Sequence, residues 1–159
     1  MNLTLKEKDY HRALQCYEDI DLIMTRPYRL PGAKVGNTLI QDSVICEGSV
    51  IYAETIKHCI IGVRSIIGEG TSIQDSILMG NEFYESTPLY EHAEIFTPCI
   101  GHDCLIQKAI IDANVVIGSG STIINQNNYL NYDDPSGIVV RDGIVILPKN
   151  LKIPSGFVF

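Results

Sequence analysis

The sequence predicts an all-β fold, a left-handed parallel β-helix built from hexapeptide repeats. An α-helix repeats at about 3.6 residues and a half-buried strand at about 2, so neither element alone explains a sustained period of six. Such a period is typical of a solenoid whose short strands are joined by tight corners. Aliphatic anchors recur at every sixth position in three runs, which are Leu39, Ile45 and Ile51, then Ile61, Ile67, Ile73 and Met79, and then Ile111, Ile117 and Ile123.

Small residues at a fixed offset from these anchors support the same fold. Large anchors would fill the interior of each coil, while small residues and glycines let the chain bend at the corners. Stacked coils would hydrogen-bond to one another at a spacing of about 4.8 Å, and each coil would depend on its neighbours for burial. A small side chain stands four positions after most anchors, at Ser43, Ser49, Thr55, Ser65, Thr71, Cys104 and Ser121.

The first 34 residues lack the repeat, so we divide the chain into a lead-in segment (1–34) and a β-helix domain (35–159). Within the lead-in, residues 6–23 have apolar side chains about one helical turn apart, which predicts a short helix. Residues 28–32 follow Arg26 and Pro27 and are expected to be extended.

Two polar and aromatic interruptions, residues 81–98 and 126–134, divide the repeats. Interruptions of this length in a compact domain are usually functional, so we expect two protruding loops that serve partner or ligand binding. The chain ends on the apolar residues Phe157, Val158 and Phe159, which are expected to pack against another part of the molecule.

The composition excludes several classes of protein. Hydrophobic residues make up 45% of the 159 residues, which excludes global disorder, and no run approaches the length of a membrane span. A net charge of −7 argues against a nucleic-acid-binding surface. Charged residues at 6–9 interrupt the start, so no secretory signal is expected. The five cysteines have no paired spacing, which favours reduced thiols in a cytoplasmic protein, with Cys59 and Cys104 as small packing residues.

The histidines give no strong catalytic or metal signal. None of the four has a spacing to another that makes a metal pair, so we assign no catalytic residue and no metal ligand. Two alternatives stay open. A trimer could assemble three histidines from two chains, and His92 on the first interruption could be the general base of a free-standing hexapeptide acyltransferase.

The stretch from Gln74 to Glu85 reads Q-D-S-I-L-M-G-N-E-F-Y-E. It resembles the pattern D-S/T-x-L-M-G-x-x-x-Y-E of the C-terminal domain of glucose-1-phosphate adenylyltransferase (ADP-glucose pyrophosphorylase), in particular the plant and cyanobacterial type, and it is the most specific of several such segments. Residues 61–65, 108–112 and 142–156 match further family segments, and Arg29-Leu30-Pro31 is similar to its R-x-L-P linker. The resemblance spans residues 20–159 and includes both interruptions.

The resemblance implies a regulatory and oligomerisation domain of an enzyme that makes ADP-glucose and pyrophosphate from ATP and glucose 1-phosphate, in glycogen or starch synthesis. Catalysis and magnesium binding belong to an N-terminal nucleotidyltransferase domain that these 159 residues do not contain. The chain alone is therefore expected to be inactive and to need no cofactor. Its expected partners are that catalytic domain, further copies through the β-helix faces, and phosphate or a phosphorylated-sugar effector. A plant source would place it in the plastid.

The resemblance also implies an effector site. Lys149 matches a family lysine that contacts the effector phosphate, whereas a second family lysine is replaced here by Ala113. Because a phosphorylated effector needs two or three cations that converge, we name Lys149, Arg141 and Arg29 as candidate anion-binding residues, with Lys152 as a further nearby cation. A purely structural scaffold without an anion site is the third interpretation that stays open.

Overall fold

The computed structural model describes residues 29–84, 86–90, 93–96 and 98–159, and of residues 85–97 it describes at most the backbone. The predicted helix at residues 6–23 lies outside the described residues, and the boundary at residue 34 stays a prediction. The described chain consists of strands and turns, and its short strands wind around three flat faces. The predicted all-β parallel β-helix is confirmed.

Each face is a stack of short parallel strands. Face one contains β1 (Lys34–Val35), β4 (Val50–Ile51), β7 (Ile66–Ile67), β14 (Val116–Ile117) and β19 (Lys152–Ile153). Face two contains β2 (Leu39–Gln41), β5 (Thr55–Lys57), β8 (Ser72–Gln74), β12 (Leu105–Gln107) and β15 (Thr122–Ile123). Face three contains β3 (Val44–Ile45), β6 (Ile60–Ile61), β9 (Ile77–Leu78), β13 (Ala109–Ile111) and β18 (Ile144–Leu147).

The inward side chains of successive coils stack into three columns, which form the core. Most of their members are fully buried. The column of face one is Val35, Ile51, Ile67, Ile100, Ile117 and Ile153. The column of face two is Ile40, Ile56, Ile73, Ile106 and Ile123. The column of face three is Ile45, Ile61, Leu78, Ile111 and Leu147.

Two predicted anchors were wrong by one position. Leu39 and Met79 point outward and are 59% and 57% exposed, and the interior positions belong to Ile40 and Leu78. The reason is the length of a coil. Stacked partners are 16 residues apart between β4 and β7 and 17 apart between β12 and β15, where three full hexapeptides would give 18. Successive anchors are therefore five or six residues apart, and a strict count of six drifts off the column.

The small corner residues lie where the sequence predicts them. Ser49, Ser65, Thr71 and Ser121 are buried, and their hydroxyls donate to backbone carbonyls at the corners. The Ser65 hydroxyl, for example, donates to the carbonyl of Gly62 at 2.8 Å. A buried hydroxyl without such a partner would cost stability, so these bonds satisfy the tight bends. The packing role predicted for Cys59 and Cys104 is confirmed, since both are 2% exposed.

The two interruptions form different structures. The first contains β10 (Ser86–Tyr90) and β11 (Ala93–Phe96), an antiparallel pair that forms a sheet separate from the coils. The second contains β16 (Asn131–Asp133) and leads into β17 (Val139–Arg141), and these antiparallel strands extend face three beyond β18. As predicted, the apolar C-terminus packs on the coils, with Phe157 and Phe159 partly buried against the core.

Candidate functional site

The candidate site lies along the corner where the chain passes from face three to face one. Five backbone hydrogen bonds, 2.7 to 3.3 Å long, connect this corner of one coil to the same corner of the next. We call this series of bonds the corner ladder. Arg64, Asn114 and Asn150 adopt left-handed φ angles of 55°, 59° and 63° in the ladder, and asparagine tolerates this region better than most residues. The bonds join Gly48 N to Pro31 O, Arg64 N to Glu47 O, Asn81 N to Val63 O, Asn114 N to Gly80 O and Asn150 N to Ala113 O.

Lys149 precedes the last rung of the ladder and forms an ion pair with Glu82. The Lys149 Nζ lies 2.6 Å from the Glu82 Oε1. The second carboxylate oxygen of Glu82 accepts a hydrogen bond from Asn114 Nδ2 at 3.0 Å, and Asn114 Oδ1 accepts the backbone N–H of Glu82 at 2.9 Å. The amide of Asn114 also donates to Asn150 Oδ1 at 3.3 Å. Lys149, Glu82, Asn114 and Asn150 therefore form one polar cluster.

Both members of this ion pair are charged at neutral pH. The hydrogen bonds from Lys149 and Asn114 lower the pKa of Glu82, because they favour its ionised form. The hydrogen bond and charge of Glu82 raise the pKa of Lys149, and Asp112 adds to this effect. The two side chains are about half exposed, so an anion in solvent can reach them.

The replacement at Ala113 removes a neighbour of Lys149. The carbonyl of Ala113 accepts the backbone N–H of Asn150 at 3.0 Å, so Ala113 lies one coil away from the turn that carries Lys149. Adjacent coils are separated by about 4.8 Å. A lysine at position 113 would place a second cation at this spacing, and the methyl group of alanine supplies none.

Arg141 lies at a different corner from Lys149. It ends β17, where it pairs with Ile144, the first residue of β18, whereas Lys149 lies two residues beyond the end of β18. Five residues of extended chain span roughly 16 Å. The Arg141 guanidinium donates to Asp133 Oδ1 at 2.5 Å and to two backbone carbonyls. The structure does not bring Arg141 and Lys149 together.

Arg29 lies at the opposite end of the corner ladder. It is exposed, has a left-handed φ of 51°, and precedes Pro31, whose carbonyl is the first acceptor of the ladder. Five rungs at the spacing of adjacent coils separate this end from the turn of Lys149, which is roughly 24 Å. Within the described chain, the three predicted cations therefore lie apart.

An open groove borders the polar cluster and was not predicted from the sequence. Its lining includes Arg64, Asn81, Tyr84, Cys99 and Asn114, and Asn114 belongs to the Lys149 cluster as well. Arg64 Nη1 donates to the Asn81 carbonyl at 3.4 Å, and the Asn81 amide donates to the Arg64 carbonyl at 3.0 Å. The only sequence signal for this groove is the presence of arginine and asparagine at corners of the coil, where they adopt left-handed φ angles.

The histidines take structural positions where they are described. His58 lies between Asp42 and Asp75, with nitrogen–oxygen distances of 3.4 and 3.3 Å. The Nδ1 of His102 accepts the backbone N–H of Glu69 at 3.1 Å. His92 lies outside the described residues. Among the residues that are described, no three His, Cys, Asp or Glu side chains form a group that could hold a metal ion.

Parallel strands on three faces, with small residues at each corner, define the class of this protein as a β-helix domain of the hexapeptide-repeat type. Residues 28–158 match the family model described as the GLGC left-handed parallel beta-helix domain. The chain belongs to this family, and the predicted left-handed fold is confirmed. Within the described part of the chain, no helix is long and apolar enough to span a membrane.

A curated relative agrees with the family. The chain is 40% identical over 141 residues to the glucose-1-phosphate adenylyltransferase small subunit, chloroplastic/amyloplastic, of Triticum aestivum. The match covers 86% of this chain, and the chain spans 30% of the relative's length. The resemblance seen in the sequence, to the C-terminal domain of this enzyme, is therefore confirmed.

Proposed function

We propose that this chain is the regulatory and oligomerisation part of a glucose-1-phosphate adenylyltransferase. The observation that supports this most strongly is the match of residues 28–158 to the GLGC β-helix domain, together with 40% identity to part of the wheat small subunit. In this proposal a separate nucleotidyltransferase portion converts ATP and glucose 1-phosphate to ADP-glucose and pyrophosphate. In the same proposal, that portion supplies the magnesium ligands. A cytoplasmic location, or a plastid one in a plant, belongs to the same proposal.

A chimaera tests this function. The part of the wheat small subunit that aligns with this chain is replaced by these 159 residues, and pyrophosphate release from ATP and glucose 1-phosphate is measured with magnesium. We expect the chimaera to turn over and the chain alone to be inactive. Pyrophosphate release by the chain alone, or a folded chimaera without activity, would contradict the proposal.

We further propose that Lys149 binds the phosphate of an effector, and that Glu82 competes with it. The Glu82 carboxylate forms an ion pair with the Nζ of Lys149 at 2.6 Å, so an incoming anion has to displace the carboxylate. With Ala113 in place of a second cation, the affinity for phosphate or 3-phosphoglycerate is expected to be millimolar or weaker. The groove beside Asn114 would take the remainder of the effector, with Arg64 along its wall.

Calorimetric titration with phosphate tests this competition. Glu82→Gln removes the competing charge and is expected to raise phosphate affinity roughly threefold to tenfold, whereas Lys149→Gln abolishes binding. Lowering the pH through the depressed pKa of Glu82 should release Lys149 from the ion pair, because the protonated acid no longer pairs with it. Exposed Glu54→Gln is the matched control and should change nothing. Low-micromolar binding by the unmodified chain, or equal affinities in all variants, would refute the site.

For oligomerisation, we propose face three as the contact between copies of this chain. The outward side chains of this face form a column that is aliphatic throughout. Val44 on the first coil and Ile60 on the second are 55% and 36% exposed. An exposed row of aliphatic side chains on a flat sheet is a common protein–protein contact. The column is Val44, Ile60, Ile77, Ile110 and Ile146.

Light scattering coupled to gel filtration tests this contact. Ile60→Glu is expected to lower the association of the chain, while Leu105→Glu on face two, at a residue 45% exposed, serves as the control. An assembly unaffected by Ile60→Glu would place the interface elsewhere.

The alternative function, a hexapeptide acyltransferase, predicts thiol release from acetyl-CoA in the presence of amino-sugar acceptors, whereas the proposed domain releases none.

A further inference from the structure

A second cleft lies at the C-terminal end of the coil stack, away from the corner ladder. It is an open cleft at the surface of the molecule. It is formed by the second interruption and the last residues of the chain, and nothing in the proposed function uses it. Its lining is Asn125, Gln126, Asn127, Tyr129, Tyr132, Asp134 and residues 157–159.

Aromatic rings form one wall of this cleft. Tyr129 and Tyr132 stack with their ring centroids 4.4 Å apart and an interplanar angle of 16°. Phe159 continues the wall, 6.5 Å from Tyr132 and tilted by 43°. Tyr129 is the most exposed of the three, at 36%, so part of its ring is open to the cleft. The wall is rigid because Asn125 binds the backbone N–H and the carbonyl of Tyr129, at 2.9 and 2.7 Å.

The lining of the cleft also contains side-chain hydrogen-bonding groups that have no partner within the described residues. Within the described residues, the side-chain amides of Gln126 and Asn127 and the hydroxyl of Tyr129 have no hydrogen-bond partner. Asp134 accepts the backbone N–H of Ser136 at 2.8 Å and the Tyr132 hydroxyl at 3.4 Å. The hydrogen bonds from Ser136 lower the pKa of Asp134, so its carboxylate is ionised at neutral pH and can accept further hydrogen bonds.

The charge of the cleft disfavours anions. None of its described lining residues is a lysine or arginine, and it holds the carboxylate of Asp134. The nearby Arg141 is paired with Asp133. A ligand that fits this lining is uncharged, with an apolar face for the rings and several hydroxyls for the amides and the carboxylate.

We propose that this cleft binds an uncharged saccharide, with a pyranose ring packed on Tyr129 and its hydroxyls bonded to Gln126, Asn127 and Asp134. A pyranose has C–H groups on its ring faces and hydroxyls around its rim, which is the combination that the cleft presents. The site does not rest on the proposed effector function, because it shares no residue with the Lys149 cluster.

The test titrates the 159-residue chain with glucose, maltoheptaose and cellopentaose, followed by calorimetry and by saturation-transfer NMR. Binding is expected for a saccharide, and a comparison of glucose with the two oligomers shows whether a free sugar or a chain is preferred. Tyr129→Ala should lower the association constant about tenfold, since it removes the stacking surface. Tyr129→Phe should retain binding, and a Gln126→Ala, Asn127→Ala double variant at two exposed positions should weaken it several-fold.

Two control variants make the proposal falsifiable. Tyr52→Ala removes another exposed tyrosine, 40% accessible on the second coil, and should leave saccharide binding unchanged. Lys149→Gln should also leave it unchanged, although it abolishes the proposed phosphate binding. The proposal is overturned if no saccharide binds at about 20 mM, if adenosine binds in place of saccharides, or if Tyr52→Ala weakens binding as much as Tyr129→Ala.

Discussion

Glycine 101 shows how closely the backbones of adjacent coils approach one another. A Cβ at Gly101 would lie 2.5 Å from the backbone nitrogen of Ser119 on the next coil, well inside van der Waals contact. The Gly101 N–H donates to the carbonyl of Ile117 at 2.8 Å, so the two coils cannot separate without losing this hydrogen bond. At this position the spacing of the coils therefore requires glycine directly after the anchor Ile100.

We expect Gly101→Ala to lower the free energy of unfolding by about 1–3 kcal/mol, because the added methyl group overpacks a rigid contact. Urea denaturation measures the change. Gly32→Ala is the control, since a Cβ at Gly32 meets no atom within 4 Å. Equal stability of the two variants would mean that the coils adjust their spacing more freely than the structure indicates.

Cys59 gives a second prediction at the scale of single residues. Burial raises the pKa of its thiol to about 11. A raised pKa means that the thiolate, which is the reactive form, is scarce at pH 8. Native protein treated with iodoacetamide at pH 8 should therefore show no modification of Cys59 by mass spectrometry, while protein unfolded in urea should be modified fully. Rapid modification in the native state would contradict its burial.

At the scale of the strand, the register within a coil decides which of two neighbouring residues is structural. Leu78 points inward and is 3% exposed, whereas Met79 points outward and is 57% exposed. Both are large apolar residues, so composition does not distinguish them. Their positions relative to the hydrogen-bonded ladder with β6 and β13 do.

Alanine substitutions at these two positions test the register. Leu78→Ala leaves a cavity in the column of face three and should destabilise the fold by about 2–5 kcal/mol. Met79→Ala should change the stability by less than about 0.5 kcal/mol, as is usual for exposed positions. A larger loss of stability for Met79→Ala than for Leu78→Ala, measured by thermal or urea unfolding, would mean that Met79 is the interior residue, as a strict six-residue period predicts.

At the scale of the whole molecule, the two ends of the coil stack differ. The first coil has no described coil above it, and its column residues Val35 and Ile40 are 42% and 37% exposed. The last coil is covered by Phe157 and Phe159, which pack against the core. Each coil depends on its neighbours for burial, so a coil with a single neighbour is less stable.

Hydrogen exchange should reveal this gradient. Amides of β2 and β3 are expected to exchange at least tenfold faster than those of β8 and β12 in the middle of the stack, because local opening costs less at the end. Exchange at native pH, followed by mass spectrometry, gives the rates. Uniform protection from the first coil to the last would show that another part of the molecule covers the exposed end.

Particular residues show how far the sequence reaches. The anchors at Ile61, Ile67 and Ile73 predicted the coil because aliphatic residues at this period have no other efficient way to be buried. Leu39 and Met79 were misplaced because these coils are 16 or 17 residues long, and the length of a corner is not visible in a hydrophobic period. Lys149 was found through the family resemblance, but its partner Glu82 was not, because 67 residues separate them in the chain.

The sequence by itself determined the class of fold and the family, because both depend on a local pattern that repeats along the chain. Only the tertiary structure decided which side chains meet. The corner ladder joins residues from five coils, so the contact of Lys149 with Glu82 and Asn114 depends on the stacking order of the coils. The same stacking separates Arg29 from Lys149, since each additional rung adds about 4.8 Å regardless of the chemistry of the residues. Arg141 is separated from Lys149 along the strand instead, because it pairs with the first residue of β18.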